Sequence, residues 1–193
     1  MKNSIVTWVA AIGLFATAAC TQQKKQHTEG NEPVQTILQV DDLLDEAENL
    51  VDQTVTVEGV CTHICAHGGK KLFLMGSDDT KTIRVEATDE TGAFSKDCVN
   101  SMVSVTGIVK ETRIDEAYLA KWEAEEKTKS GEQHGEAGSA GCETDQKAQN
   151  ETPVNTVEER IANFRTRIAQ EKEATGKDWL SFYFIEADSY TIQ

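Results

Sequence analysis

Several signatures of enzyme chemistry are missing from this sequence. It has no C-x-x-C pair, no G-x-S-x-G elbow, no phosphate-binding glycine loop and no Ser/His/Asp set. Its many carboxylates are spread along the chain without evident pairing. These absences leave no reaction to name, and the chain reads as non-catalytic. Positive charge is also scarce. Nineteen Lys and Arg stand against 33 Asp and Glu, for a formal net charge of -14. Nucleic-acid binders carry basic faces, so nucleic acid is not an expected partner. Proline is nearly absent, and the two present, Pro33 and Pro153, mark boundaries: patterned sequence begins after the first and a helical segment after the second. The apolar run from Ile5 to Phe15 is too short to cross a bilayer, which takes about 20 residues.

That run has another use. Lys2 supplies a positive start, and the small residues Ala16-Thr17-Ala18-Ala19 lead to Cys20. A charged start, an apolar middle and a small-residue exit form a secretory signal over residues 1–19. Ala18-Ala19-Cys20 resembles the lipobox of bacterial lipoproteins, whose cysteine becomes the acylated first residue of the mature chain. Thr17 departs from that pattern, which usually has Leu there. The resemblance implies lipidation at Cys20, attachment to a bacterial membrane, and a location in the cell envelope facing the periplasm or the cell surface. Residues 20–34 are polar and non-periodic, as a tether should be.

The remaining chain, 35–193, is enough for one domain. Val40, Leu43, Leu44, Ala47 and Leu50 recur at helical spacing behind Asp41 and Asp42, which suit a first turn. Alternating stretches then predict strands from Thr54 through about residue 67, over Thr82–Ala87 and over Met102–Val109, and Lys71–Met75 is the strand that returns after the turn at Gly68-Gly69. Gly59, inside the first of these, is expected at a bulge or bend. Residues 111–178 break the pattern. Asp115 with Ile114 and Leu119 predicts one helix, and Thr156 with Glu159 predicts a second that ends at Gly176. The stretch between them, about 130–152, lacks periodicity and is expected to be disordered. Trp179–Ile192 is the last strand.

This order resembles the OB-fold, and implies a β-rich α+β domain: a five-stranded Greek-key barrel with a helical insertion at 111–178 before the last strand. An open antiparallel sheet is the rival architecture.

The candidate chemistry lies in Cys61, His63, Cys65 and His67, followed by Gly68-Gly69-Lys70-Lys71. A period of two is that of a strand, so all four are expected on one face. Same-face neighbours stand about 6.6–6.8 Å apart, so adjacent pairs can share an ion whereas the outer pair, about 20 Å apart, cannot without a bend. Cys98 is a further candidate ligand. Thiolate and imidazole together point to Zn(II) or copper rather than calcium or magnesium. A structural disulfide between Cys61 or Cys65 and Cys98 is the alternative, giving a stapled interaction module, and a thiol-redox protein is a second alternative. Cys61 is also in phase with Val55 and Val57, the position of an ordinary core residue. Lys70 and Lys71 beside the diglycine could meet an anion, although such residues more often form a solvated hairpin tip. His134 and Cys142, in the aperiodic stretch, could swing onto a metal, although loop residues of this kind are usually free.

Overall fold

The computed structural model describes residues 36–66, 68–129 and 140–193. The signal segment, Cys20, the tether, His67 and His134 lie outside the described residues.

Strand β1 (Ile37–Gln39) runs directly into helix α1 (Val40–Leu50), whose buried Val40, Leu43 and Ala47 recur at helical spacing. Asp41 does not cap α1. Its carboxylate instead accepts from the Ser77 backbone N–H at 2.8 Å and the Ser77 hydroxyl at 2.6 Å, tying the helix to a strand turn. Strands β2 (Thr54–Ile64), β3 (Lys71–Met75) and β4 (Thr82–Ala87) follow as an antiparallel meander. A 3₁₀ turn (Lys96–Cys98) leads to β5 (Met102–Ile114), and β6 (Leu180–Ile192) ends the chain.

The sheet order is β1-β2-β3-β4-β6-β5, and β2 pairs with β5 to close the ring. The closed part is a five-stranded mixed barrel in which β4 and β6 are parallel and every other pairing is antiparallel. Three sequential strands, with a last strand inserted between the third and fourth, make this an OB-fold-like barrel; β1 is an extra strand added parallel to β2.

β2 is long because it serves both halves: Thr54–Val60 pair with β5 and Val60–Ile64 with β3. Gly59 is not the site of the bulge, and pairs in register with Val103. Its bare Cα admits α1, since a Cβ there would sit 2.7 Å from Val40 Cγ2. The bulge lies two residues further on, between Cys61 and His63. The barrel core includes Leu43, Val57, Leu72, Leu74, Val85, Val105 and Ile185, all fully buried, with Cys61 and Cys98 among them.

β5 continues past Val109 to Ile114, paired with β6 throughout, so the insertion starts at 115 rather than 111. Helices α2 (Glu116–Lys129) and α4 (Val157–Thr175) form as expected. The Tyr118 N–H donates to the Asp115 carboxylate at 2.8 Å, Glu159 N–H donates to the Thr156 hydroxyl, and Gly176 closes α4 at φ 83°. Leu119, Val157, Ile161, Phe164 and Ile168 build a second core against Ile114, Leu180 and Phe182.

Residues 140–152 depart from the expected disorder. They include a short helix α3 (Glu143–Ala148) in which Asp145 and Gln146 are buried. Polar contacts order this segment where apolar periodicity does not. Gln146 bonds Val154 through both its carbonyl and its amide. Among the described residues no helix is long and apolar enough to cross a membrane.

Candidate functional site

The bulge in β2 decides what the Cys/His run can do. Cys61 pairs with Leu74 and His63 with Phe73, leaving Thr62 as the extra residue. One extra residue reverses the alternation, so Cys61 and His63 do not share a face. Cys61 points inward and is fully buried, while Ile64, three positions later, also packs on the barrel core. His63 turns to the outside, its ring 5.8 Å from that of Phe73. Cys65 lies just past the end of the strand and is half-buried. Its N–H donates to the Lys71 carbonyl at 2.9 Å and its carbonyl accepts from Gly69, across a turn in which Gly68 and Gly69 have φ of 79° and 64°.

Inside the barrel, Cys61 and Cys98 are neighbours. The Cys61 thiol donates to the His63 carbonyl at 3.7 Å. Burial, reinforced by nearby Cys98, pushes its pKa up to about 11. Burial likewise raises Cys98, with Asp97 adding to it. A metal ligand or nucleophile must be a thiolate, so both behave as small core residues at neutral pH. Cys61, Cys65, Cys98 and Cys142 are all unbridged here.

Outside the barrel, the insertion folds back over β3 and β4. Asp145 of α3 accepts from Lys71 Nζ at 3.2 Å and Arg84 Nη1 at 3.1 Å. Burial works against its ionisation most, yet the two cations together hold the carboxyl below its usual value. Three residues before it, Cys142 Sγ stands 3.5 Å from His63 Nε2. Arg160 of α4 anchors the same segment. It grips Glu151 through Nε at 2.8 Å and Nη2 at 2.6 Å, donates from Nη1 to the Ala140 carbonyl at 2.8 Å, and lies over the Trp122 and Phe164 rings. Beneath this roof is a cavity of about 330 Å³ whose walls include Lys71, Arg84, Trp122, Asp145, Arg160 and Phe184.

The structure therefore divides the sequence candidates. Cys61 and Cys98 come together in the core, while His63 turns outward and Cys65 lies just past the end of β2. His67 falls outside the described residues. Among the described residues, no group of three His, Cys, Asp or Glu side chains stands ready to hold a metal ion. Lys71 meets an internal carboxylate, and Lys70 meets the exposed Asp89 at 3.4 Å. Cys142 stands out in the sequence only by its residue type and Asp145 not at all, because their partners are 79 and 61–74 positions away.

No family model matches the chain, and no curated protein matches it. Among solved structures it is similar to the aspartyl-tRNA synthetase of Entamoeba histolytica, at 16% identity and a TM-score of 0.31, over 57% of this chain and 24% of that one. It is also similar to a Leishmania major Friedlin protein described as an aspartyl-tRNA synthetase, at 19% identity and a TM-score of 0.27, over 45% and 18%. The chain spans less than a quarter of either protein's length. Likenesses this partial carry no argument, and the fold assignment stands on strand order and closure.

Proposed function

We propose that this chain is an envelope-anchored, non-catalytic binding or accessory lipoprotein, held to the membrane through acylated Cys20, that takes up a soft metal ion, Zn(II) or copper. The carrying observation is the β2 bulge, which turns His63 to the outer face while Cys61 turns inward, with Cys65 following just past the end of the strand. An imidazole and a thiol two residues apart at this end of the strand suit a borderline or soft cation. Cys61 and Cys98 have no part in this reading, because a ligand thiol must lose its proton and burial opposes that.

Metal analysis of the full-length protein, purified in detergent without an affinity tag, is the test. About one equivalent of zinc or copper, lost in the variants H63A and C65S and kept in C61S, is expected. Protein that neither carries nor takes up either metal would remove the proposal.

A second reading, a disulfide-stapled interaction module, draws on the nearness of Cys61 and Cys98 in the core. Non-reducing peptide mapping separates the two. A Cys61–Cys98 bridge with no bound metal favours the module, and four free thiols with bound metal favour the metal site.

A further inference from the structure

We infer that Arg167 of α4 binds the carboxylate of a small organic acid in the cleft between α4 and β6, a site apart from the one proposed for a metal. Residues seven apart share a helix face, and Arg160 and Arg167 are such a pair. Both guanidiniums lie over the Phe164 ring, at 5.5 and 5.7 Å. Each also donates to a backbone carbonyl of the segment before the helix, Arg160 to Ala140 and Arg167 to Gln149. They differ in charge partner. Arg160 grips Glu151, whereas Arg167 alone among the described arginines has no carboxylate within ion-pair distance.

The Nη1 group of Arg167 is shielded from solvent and meets no acceptor. Burial lowers the pKa of the guanidinium, and Glu151, already held by Arg160, does not offset this. A desolvated cation without a counter-charge is costly, and a buried donor without an acceptor is a place where a bound ion can complete the pairing. A second donor is in the same condition. Trp179 Nε1, one residue before β6, is shielded from solvent and lacks an acceptor. Both residues line one cavity of about 270 Å³, together with Lys177, Ser181 and Tyr183.

The walls select the anion. Lys177 is already matched by Glu48 at 3.3 Å, and Glu171 on the same wall repels further negative charge. The cavity therefore suits a monoanion and disfavours a dianionic phosphate. A planar guanidinium fork fits the two oxygens of a carboxylate. Leu180, Phe182 and the Trp179 ring supply apolar wall for the body of the acid. A cavity of about 150 Å³ takes benzene, so this larger one admits a single ring bearing a carboxylate. Neither N–H touches solvent, so the arginine stem swings toward the ligand on binding, and the contact forms away from competing water.

Titration of the isotope-labelled full-length protein with sodium benzoate, followed by NMR, tests this inference, with sodium chloride of equal ionic strength as the reference. The indole N–H resonance of Trp179, assigned with W179F, is expected to shift saturably while that of Trp122, which does not line this cavity, stays in place. The Tm should rise with benzoate concentration. R167M should bind benzoate more than about 10-fold more weakly, as loss of a hydrogen bond to a charged group implies. Without benzoate, R167M should melt at or above the wild-type Tm, because an apolar chain then replaces an unpaired cation. No saturable shift in the wild type, or an undiminished one in folded R167M, would overturn the inference. So would inorganic phosphate that shifts Trp179 at lower concentration than benzoate does. If R167M does not fold, R167K takes its place: it keeps the charge and loses the fork, and unchanged benzoate affinity would overturn the role given to Arg167.

Discussion

Removing the Glu151 carboxylate should unfasten the insertion. The Arg160–Glu151 pair is the most enclosed ion pair of the domain's described residues, with side-chain exposures of 9% and 4%. In Glu151→Gln the guanidinium keeps the Ala140 carbonyl and the two ring faces, but loses its only buried anion. Orphaning one partner of a buried pair costs about 3–5 kcal/mol. The contacts that remain place this case near the lower end, about 3 kcal/mol. For a domain of this size that corresponds to a fall in Tm of roughly 6–12 °C.

The companion variant Arg160→Met/Glu151→Leu removes both charges, so it should lie within about 2 kcal/mol of wild type despite losing more polar contacts. Urea denaturation followed by tryptophan fluorescence reads both. The Trp122 ring lies 5.4 Å from the guanidinium carbon and reports on the same site. A loss below about 1 kcal/mol in Glu151→Gln, or a double variant less stable than the single one, would refute the reasoning that an uncompensated buried cation sets the cost.

Two further outcomes follow from the titrating groups. The Asp145 carboxyl is depressed in the folded state, so its contribution is fully present above the unfolded value of about 3.9 and drains away as pH falls through the lower folded value. Asp145→Asn should therefore be less stable than wild type by roughly 1–3 kcal/mol near neutral pH. The two should converge in acid, and parallel stability curves down to about pH 3 would contradict this. The Cys61 thiol, pushed up to about 11, and the raised Cys98 thiol should resist a maleimide probe near neutral pH in the native state and label on unfolding. Labelling of native Cys61 at the rate of a free cysteine would place that thiol outside the core.

Local sequence determined much of the fold. The 3.6-residue recurrence of Val40, Leu43 and Ala47 specified α1, because a helix buries one stripe wherever its partner lies. Alternation did the same for β2 and β4. The Thr156 cap and Gly176 defined α4, since capping satisfies backbone groups within a few residues. Strand count and order were enough to anticipate a closed OB-like barrel, as few topologies accommodate a long first strand paired on both sides.

The candidate site was only half legible. Cys61, His63 and Cys65 stood out by residue type, but their facing depended on a bulge at Thr62, which arises from how β2 registers against β3 and β5 together. One extra residue separated Cys61 from His63, and no local pattern reports it. The order of residues 140–152 was equally out of reach, because it depends on charges brought from elsewhere: Arg160 to Glu151, and Lys71 and Arg84 to Asp145. Hydrophobic periodicity is a property of neighbours along the chain, and it registers from the sequence alone. A bulge, a buried ion pair and the meeting of Cys142 with His63 are properties of distant segments, and only the tertiary structure decides them.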